Sequence, residues 1–248
     1  MQDYELISDW REIYRKDNKA YKMYSTNKSV EYVIEMARIQ SLAYDAGLPV
    51  PAVYGVKNIG GRFALEMDYL KREPFIEESA SESERIKSLK IMAELQCRLN
   101  SVNAETFGLP KFTTYIMDEV KQTPYLTDQI KNSVYELLFR LDTRKTNFCH
   151  GDFHGGNVIF DGESHWIIDW DGACMGDPIA DACMMYFYEK RLKPHTADIY
   201  MQEYCRLSNI KQDDFLAWLP VIAAYQVNIK TEDQRNYILS VINAWYEK

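Results

Sequence analysis

The secondary-structure signals of this chain change after Tyr69, and this change limits the folds that it can adopt. Short segments rich in Tyr and Ile, separated by turn residues, predict strands over 4–8, 12–16 and 19–24. Two further strands, over 52–57 and 62–68, are predicted on either side of the hairpin loop 58–61. One helical pattern interrupts them at about 28–46 and ends at Gly47. From residue 81 onward, apolar residues recur mainly at helical spacing. The sequence therefore predicts a strand-rich N-terminal part and a larger helical C-terminal part.

The C-terminal part opens with a capping box, Ser81 to Glu84, which predicts the start of a helix. Further helices are expected at about 127–141, 178–191, 195–208, 211–227 and 231–246, with short strands at 148–150, 158–160 and 166–168. We expect an α+β fold with two lobes: a small antiparallel sheet with one helix over 1–68, a hinge at 69–74 and a helical lobe over 75–248.

Composition excludes several classes of protein. The net charge of −8 disfavours a protein that binds nucleic acid through its phosphates. The longest nearly uninterrupted apolar run, 215–225, is far shorter than the ~20 residues that cross a bilayer, and the first residues lack the features of a signal peptide. We expect a cytoplasmic protein without a membrane partner, present as a monomer or a weak dimer. Its five widely spaced cysteines are expected to be reduced thiols.

The segment from His150 to Asp171 carries the residues most suited to chemistry. Asp152 and Asn157 lie five residues apart in a loop, and Asp169 follows the apolar segment Trp166–Ile168. Carboxylate and amide oxygens of this kind are ligands that Mg²⁺ prefers. Phosphoryl transfer needs a carboxylate that accepts the proton of the attacking hydroxyl and oxygen ligands for the metal. We therefore predict Asp152 as the base and Asn157 and Asp169 as metal ligands.

With these motifs the sequence resembles the aminoglycoside phosphotransferase and choline kinase family, which has the protein-kinase-like fold. The matching residues are His150-Gly151-Asp152 with Asn157, Ile168-Asp169-Trp170, and Gly176-Asp177-Pro178 with Asp181. The interval from Asp152 to Asn157 equals that of the kinase catalytic loop. The resemblance implies transfer of the γ-phosphoryl group of ATP, with GTP as the alternative nucleotide, to a hydroxyl of a small molecule in the presence of Mg²⁺.

The resemblance also assigns roles in the N-terminal lobe. It implies that Lys22 pairs with the nucleotide phosphates and that Glu35, on the following helix, is the ion-pair partner of Lys22. Met67, Asp68, Tyr69 and Leu70 correspond to the interlobe hinge that holds the adenine. One departure is the stretch Ile7–Ile13, which contains no glycine where the family usually has a nucleotide loop with glycine or small residues.

Alternatives remain open for the acceptor and for the class of protein. The expected acceptor is an aminoglycoside or another amino-containing alcohol, which acidic residues of the C-terminal part would attract: Glu189, Glu203, Asp213 and Asp214. Choline, ethanolamine or a sugar is the alternative acceptor. The loop without glycine also permits a nucleotide-binding module with little activity. A third alternative is a metal-dependent hydrolase site that contains His150, Asp152, His154 and Asp169.

Overall fold

The structure of the protein is a computed structural model that describes residues 3–9, 11–71, 75, 80–141, 144–228 and 231–247. Trp10 of the glycine-free stretch and residues 72–74 of the predicted hinge lie outside the described residues. The chain divides into two compact units. Unit 1 comprises residues 1–75 and 156–171, and unit 2 comprises residues 76–155 and 172–248. The segment around Asp169 therefore belongs to the same unit as the N-terminal strands.

The described residues form strands and helices in the following chain order. The strands are β1 (Glu5–Ser8), β2 (Ile13–Lys16), β3 (Lys19–Met23), β4 (Val53–Ile59), β5 (Arg62–Asp68), β6 (Asn147–Cys149), β7 (Val158–Phe160), β8 (His165–Ile167) and β9 (Cys174–Gly176). The helices are α1 (Val30–Asp45), α2 (Glu82–Asn100), α3 (Phe112–Gln122), α4 (Asp128–Leu141), α5 (Pro178–Leu192), α6 (Pro194–Ser208), α7 (Gln212–Leu216), α8 (Leu219–Tyr225) and α9 (Glu232–Tyr246).

Unit 1 is built on a five-stranded antiparallel sheet with the order β1-β2-β3-β5-β4. The turn between β2 and β3 places Asp17 at φ +53°, and the turn between β4 and β5 places Gly60 and Gly61 at φ +61° and +84°. Asp and Gly tolerate these left-handed conformations at low cost, so both hairpins follow from their turn residues. In the register of the sheet, Lys22 of β3 lies opposite Leu65 of β5.

Helix α1 begins at the N-cap Ser29, whose side chain accepts a hydrogen bond from the backbone N–H of Tyr32. It ends where Gly47 adopts φ +77°, as the sequence predicts. The apolar spacing in the sequence places Ile34 on the same face as Val30 and Val33, but the buried residues of the helix are Val33, Met36, Ile39, Gln40 and Ala43. Ile34 is 52% exposed, whereas Gln40 is buried and donates to the carbonyl of Pro51 at 2.7 Å. The buried stripe thus includes a satisfied polar residue that a search for apolar periodicity overlooks.

The second segment of unit 1 contains the β7-β8 hairpin. Val158 pairs with Ile167, and the N–H of Ile167 donates to the carbonyl of Pro49 at 2.7 Å. The backbone of Ile168 donates in turn to the carbonyl of Asn157 at 3.0 Å. These bonds fix the residues on either side of the hairpin, Asn157 before β7 and Asp169 after β8.

Unit 2 is mainly helical, with the short antiparallel pair β6-β9. The capping box at Ser81 and Glu84 is present as predicted, and Asp177 caps α5 by accepting from the N–H of Ile179 at 2.9 Å. Helix α5 is buried over most of its surface, because side chains on several of its faces pack against other helices. Within the described residues, no helix combines the length and apolar composition that crossing a membrane requires.

Three local predictions for unit 2 need correction. The single helix expected over 211–227 is divided into α7 and α8, and Pro220 lies in the first turn of α8, where a proline is tolerated. The sequence 231–234 also predicts a capping box, but Thr231, the N-cap of α9, makes no side-chain capping bond, so this prediction is wrong. Helix α3 and strand β9 were not predicted. Strand β9 has only three residues, whereas α3 has 11.

Candidate active site

Unit 1 contains a pocket of about 790 Å³ lined entirely by its own residues. The apolar part of the lining comes from both segments of the unit and includes Ala20, Leu65, Met67, Ile159 and Ile168. The charged part comprises Arg11, Lys22, Asp68, Asp169 and Asp171. An apolar cavity with a few convergent charged groups is typical of a small-molecule site.

Lys22 forms the centre of the charged cluster. Its Nζ atom lies 2.6 Å from Oδ1 of Asp169 and 2.9 Å from Oδ1 of Asp171. Burial opposes the charge of the amine, but the attraction of the two carboxylates outweighs it and raises the pKa of Lys22. Lys22 is therefore held as a cation inside the pocket, with its side chain 15% exposed.

Asp169 adopts φ +69°, in the left-handed region, directly after β8. An aspartate in this conformation carries a backbone cost that its surroundings must offset. Here the ion pair with Lys22 and the 3.7 Å contact from Arg11 Nε to Asp169 Oδ2 hold the carboxylate in place. Strained backbone of this kind clusters at functional sites, which fits the metal-ligand role predicted for Asp169.

Arg11 belongs to the glycine-free stretch between β1 and β2, and its guanidinium reaches the second segment of the unit. Nη2 donates to Oδ1 of Asn157 at 2.5 Å and to the carbonyl of Gly156 at 3.0 Å. The side chain is only 6% exposed. The predicted metal ligands Asn157 and Asp169 therefore lie in one cluster with two cations, Arg11 and Lys22.

The structure does not bring Glu35 to Lys22. The carboxylate of Glu35 accepts two hydrogen bonds from Arg38, at 2.8 Å from Nε and 2.6 Å from Nη2, and these bonds lower the pKa of Glu35. The pair is spaced i, i+3 on one exposed side of α1. The predicted pairing of Glu35 with Lys22 stays a prediction for the nucleotide-bound protein.

The residues predicted to hold the adenine, Met67, Asp68, Tyr69 and Leu70, all line the same pocket. Asp68 is the last residue of β5, so Tyr69 and Leu70 lie beyond the ladder of the sheet. Asp68 itself is engaged, because its carboxylate accepts from Tyr54 Oη at 2.6 Å and from the N–H of Ala52 at 3.1 Å. Its side chain thus fixes the end of the strand.

In unit 2, the loop that carries Asp152 is held by a buried carboxylate, Asp181 of α5. Asp181 accepts from the backbone N–H groups of His150 and Gly151 at 3.1 and 2.9 Å. Gln96 and Asn100 of α2 donate to it at 3.1 and 3.0 Å. Because a buried charge is costly unless it is fully hydrogen-bonded, these four donors explain why an acidic residue is tolerated there.

Two further features set the geometry of this loop. Gly151 has φ +74°, and a Cβ atom at this position would lie 1.9 Å from the carbonyl oxygen of Gly172. His150 is completely buried, and its Nδ1 accepts a hydrogen bond from the N–H of Asp152 at 3.3 Å. The side chain of Asp152 is left 65% exposed at the surface of unit 2.

A second pocket, of about 320 Å³, lies beside Asp152 within unit 2. Its lining residues are Asp152, Phe153, His154, Met184, Phe187, Tyr188, Arg191 and Gln226. The acidic residues that we expected at an acceptor site are absent from this lining. Glu189 binds Arg85 at 3.0 Å and Thr196 at 3.1 Å, and Glu203 binds Arg206 at 2.7 Å. Both carboxylates are thus used in other contacts.

The predicted oxygen ligands fit a magnesium site with nucleotide. Asn157 and Asp169 supply hard oxygens, and Mg²⁺ in such sites uses one or two carboxylates together with phosphate oxygens and water. No group of three or more His, Cys, Asp and Glu suited to a metal ion occurs in the part of the chain that the structure describes.

Comparison with protein families decides the class of the protein. The model of the phosphotransferase enzyme family matches residues 14–219, which include Lys22, Asp152, Asn157 and Asp169. The chain belongs to this phosphotransferase family. The sequence-based prediction of the family, and of a small-molecule phosphotransferase, is thereby confirmed. Arg11 and Gln226 lie outside the matched segment. No curated protein sequence matches the chain significantly.

Solved structures confirm that the fold of this phosphotransferase is kinase-like. A choline/ethanolamine kinase family protein from Mesorhizobium loti has a TM-score of 0.69 and 15% identity, over 99% of this chain and 88% of the other. A choline kinase from Streptococcus pneumoniae has a TM-score of 0.67 and 15% identity, over 97% and 93%. A thermostable mutant of an aminoglycoside phosphotransferase, in a ternary complex with AMP-PNP and hygromycin B, has a TM-score of 0.64 and 15% identity, over 98% and 92%.

Sequence reasoning missed three residues that the structure places at the two pockets of this phosphotransferase. Arg11 was overlooked because its contacts span about 146 residues of sequence. Asp171 is the second partner of Lys22, and its position two residues after Asp169 was a signal available in the sequence. Arg191 follows Met184, Phe187 and Tyr188 at i+7, i+4 and i+3 on α5, a helical spacing that predicts a shared face.

Proposed function

We propose that this phosphotransferase transfers the γ-phosphoryl group of ATP to a hydroxyl group of a small molecule. The observation that carries the proposal is the cluster of Lys22, Arg11 and Asp169 in the apolar pocket of unit 1, with Asn157 hydrogen-bonded to Arg11. Such a pocket offers an apolar surface for a nucleotide base and two cations for a polyphosphate. The binding of AMP-PNP by the aminoglycoside phosphotransferase of similar fold supports a nucleotide at this site.

The pocket residues form two groups: one group contacts the adenine, and the other neutralises the phosphates. Met67, Asp68, Tyr69 and Leu70 enclose the adenine at the end of β5. Lys22 neutralises the phosphates, and its raised pKa keeps the amine charged at neutral pH. GTP is the alternative nucleotide. The functional division that we propose is a nucleotide-binding part over 1–68, which residues 156–171 complete, a hinge over 69–74, and an acceptor-binding part over the rest of 75–248.

Asn157 and Asp169 would hold Mg²⁺. Held there, Mg²⁺ would supply positive charge that neutralises the charge developing on the phosphates. The contribution of the protein is the placement of the two oxygen donors by the β7-β8 hairpin, whose pairing fixes both of its ends. Lys22 and Arg11 balance the negative charge of this region in the structure.

Asp152 is the proposed general base. The hydroxyl oxygen of the acceptor attacks the γ-phosphorus, the bond from this phosphorus to the β–γ bridging oxygen breaks, and ADP leaves. The proton of the hydroxyl passes to the carboxylate of Asp152. The hydrogen bond from the N–H of Asp152 to His150 and the anchoring of the loop by Asp181 hold this carboxylate at the unit 2 pocket.

The acceptor is a small molecule with a hydroxyl group. An amino-containing alcohol such as an aminoglycoside, a choline-type compound and a sugar are the candidates from the sequence, and a choline kinase and the complex with hygromycin B stand among the similar structures. A nucleotide-binding module with little activity is the remaining alternative. Binding of nucleotide without turnover of any acceptor would favour it.

The first test measures the melting temperature with ATP or GTP, each with and without Mg²⁺. A ligand at a hundred times its dissociation constant stabilises the folded state by about 2.7 kcal/mol, so specific binding raises the melting temperature clearly. We expect a magnesium-dependent increase that is lost in Asp169→Asn. Asp45→Asn, which removes the same charge from an exposed residue that does not line the pocket, is the matched control and should behave as the wild type.

The second test measures turnover in Asp152→Asn. A general base contributes about 10²–10⁴-fold, so we expect turnover to fall by at least about a hundredfold while the magnesium-dependent shift with ATP persists. Near-normal turnover in this variant would show that another group accepts the proton. A wild type that shows no shift with any nucleotide would overturn the proposed function.

A further inference from the structure

The pocket beside Asp152 has a lining that is unusual for a cation-binding site. Asp152, the proposed base, is the one carboxylate among its lining residues in the described part of the chain. The other groups are aromatic or aliphatic, apart from His154, Gln226 and Arg191. A cationic acceptor would therefore be repelled by Arg191. Asp152, the carboxylate that could attract it, already has the proposed role of general base.

One face of α5 provides most of this lining. Met184, Phe187, Tyr188 and Arg191 are spaced i, i+3, i+4 and i+7, so they lie in succession along the helix. The ring of His154 stacks on the ring of Tyr188 at 5.1 Å between centroids and 23° between planes. This stack joins the loop that carries Asp152 to the helix that carries Arg191.

Arg191 has no anionic partner within the described residues. Its guanidinium lies 5.4 Å from the centroid of the Tyr188 ring, and its Nε atom is buried without a hydrogen-bond acceptor. Burial lowers the pKa of Arg191, and the interactions that oppose this decrease come from Tyr188 and Tyr237. The preceding residue, Lys190, does have an anionic partner, because its Nζ atom lies 2.9 Å from Oδ2 of Asp198.

The buried Nε–H of Arg191 is a costly donor, because it has left water without gaining a hydrogen-bond acceptor. Carboxylate and phosphate groups satisfy a guanidinium well, because their oxygens match its planar fork. We propose that Arg191 binds a carboxylate or phosphate group of the acceptor, and that the substrate is therefore a small hydroxyl compound that carries an anionic group. This inference rests on the proposed function, in which Asp152 accepts the proton of the hydroxyl.

The lining of the pocket has an apolar part and a charged part. Phe187 and Tyr188 supply apolar surface for the carbon skeleton, and Arg191 supplies the charge. The site thus selects for the anionic group as well as for the hydroxyl.

The test compares four compounds with one three-carbon skeleton that differ in charge. Glycerate carries a carboxylate, glycerol 3-phosphate a phosphate, glycerol no charge and 3-amino-1,2-propanediol a cation. Binding is measured by calorimetry and turnover by release of ADP. We expect glycerate, glycerol 3-phosphate or both to bind about tenfold to a hundredfold more tightly than glycerol and the amine. The two anions distinguish a carboxylate acceptor from a phosphate acceptor.

Variants of Arg191 test the residue itself. Arg191→Met should raise the Kd and KM of the anions, with a smaller change in kcat, and should thereby abolish the preference for anions. Arg191→Lys keeps the charge and should retain part of this preference. Lys190→Met, one residue earlier and outside the pocket lining, is the control and should retain the full preference. The melting temperature of each variant with ATP and Mg²⁺ confirms that it is folded.

The inference and the proposed function fail in different ways. Failure of both anions to bind, equal affinity for the four compounds, or a preference for the amine would overturn the anionic acceptor while ATP binding remains. An anion preference that survives in Arg191→Met would also overturn the role of Arg191. Loss of ATP binding in the wild type would instead overturn the proposed function.

Discussion

Arg11 donates a hydrogen bond of 2.5 Å to the side-chain oxygen of Asn157, which joins the glycine-free stretch after β1 to the residue before β7. In a nucleotide loop rich in glycine, backbone N–H groups cradle the phosphates. This chain instead places a cationic side chain, 6% exposed, among the predicted metal ligands. A guanidinium in this position has the geometry to bind phosphate oxygens in two places.

We therefore expect Arg11→Met to weaken ATP binding by about tenfold or more, because a charge-assisted hydrogen bond is lost. Calorimetric Kd values with and without Mg²⁺ provide the measurement. Lys16→Met is the control, since Lys16 is a surface residue of β2 whose pair with Asp3 lies at 3.6 Å. Unchanged affinity in Arg11→Met would show that the stretch after β1 does not contact the phosphates.

Lys22 should make a pH-dependent contribution to stability. The pKa of this amine is raised in the folded protein. The contribution of Lys22 to the free energy of unfolding is therefore fully present below about pH 10.4, the pKa of lysine in the unfolded chain. This contribution is lost as the pH rises through the pKa of Lys22 in the folded protein. We expect Lys22→Met to be less stable than the wild type at about pH 8, with the difference decreasing above about pH 10.4.

Urea unfolding at both pH values measures this difference. A second variant that combines Lys22→Met with Asp171→Asn should recover part of the loss, because one of the two unpaired carboxylates is then removed. A difference between wild type and Lys22→Met that stays constant with pH would contradict the assignment of the charge.

Gly151 is expected to tolerate no side chain. In Gly151→Ala, the new Cβ atom would lie 1.9 Å from the carbonyl oxygen of Gly172, and φ is +74°. We expect a loss of several kcal/mol of unfolding free energy, or failure to fold. Gly162→Ala is the matched control, since it also has a positive φ, +101°, but nothing within 4 Å of its Cβ position. It should lose only about 1–2 kcal/mol. Equal losses in both variants would show that backbone conformation alone matters.

The cysteines should react slowly in the native protein. All five are free, and four of them are buried, with Cys97 intermediate. Burial raises the pKa of Cys183 and raises that of Cys205 to about 11, so these thiols are protonated at neutral pH and react poorly. Titration with an aromatic disulfide should label few thiols in the native state and all five in urea. Rapid reaction of Cys183 in the native protein would contradict its burial.

Much of the fold follows from local signals in the sequence. Ser81, Gly47 and Asp177-Pro178 mark helix ends through their own side chains or backbone preferences, and each has the expected role. The break between α7 and α8 was missed because the apolar pattern continues across it, although Pro220 was a signal for a helix start. The exposed position of Ile34 was missed because the burial of α1 is decided by what packs against it.

In the candidate site, too, local signals could be predicted from the sequence, whereas contacts between distant residues could not. Asp152, Asn157 and Asp169 could be proposed from their spacing, since they lie within a short stretch of sequence. The partners of Lys22 and the contacts of Arg11 depend on strands that are distant in sequence, so periodicity carries no information about them. The burial of the Asp181 carboxylate is explained by hydrogen-bond donors from α2 and from the loop before Asp152, which are distant from it in sequence.

Unit 1 is assembled from two stretches of chain that are separated by residues 76–155. A ribosome adds about 5–20 residues per second, so several seconds pass between the release of the first stretch and the synthesis of Asp169 and Asp171. During this interval Lys22 has neither of its carboxylate partners, and the carbonyl of Pro49 lacks the N–H of Ile167. The N-terminal unit therefore cannot complete its fold before much of unit 2 has been made, although its sheet comes first in the sequence.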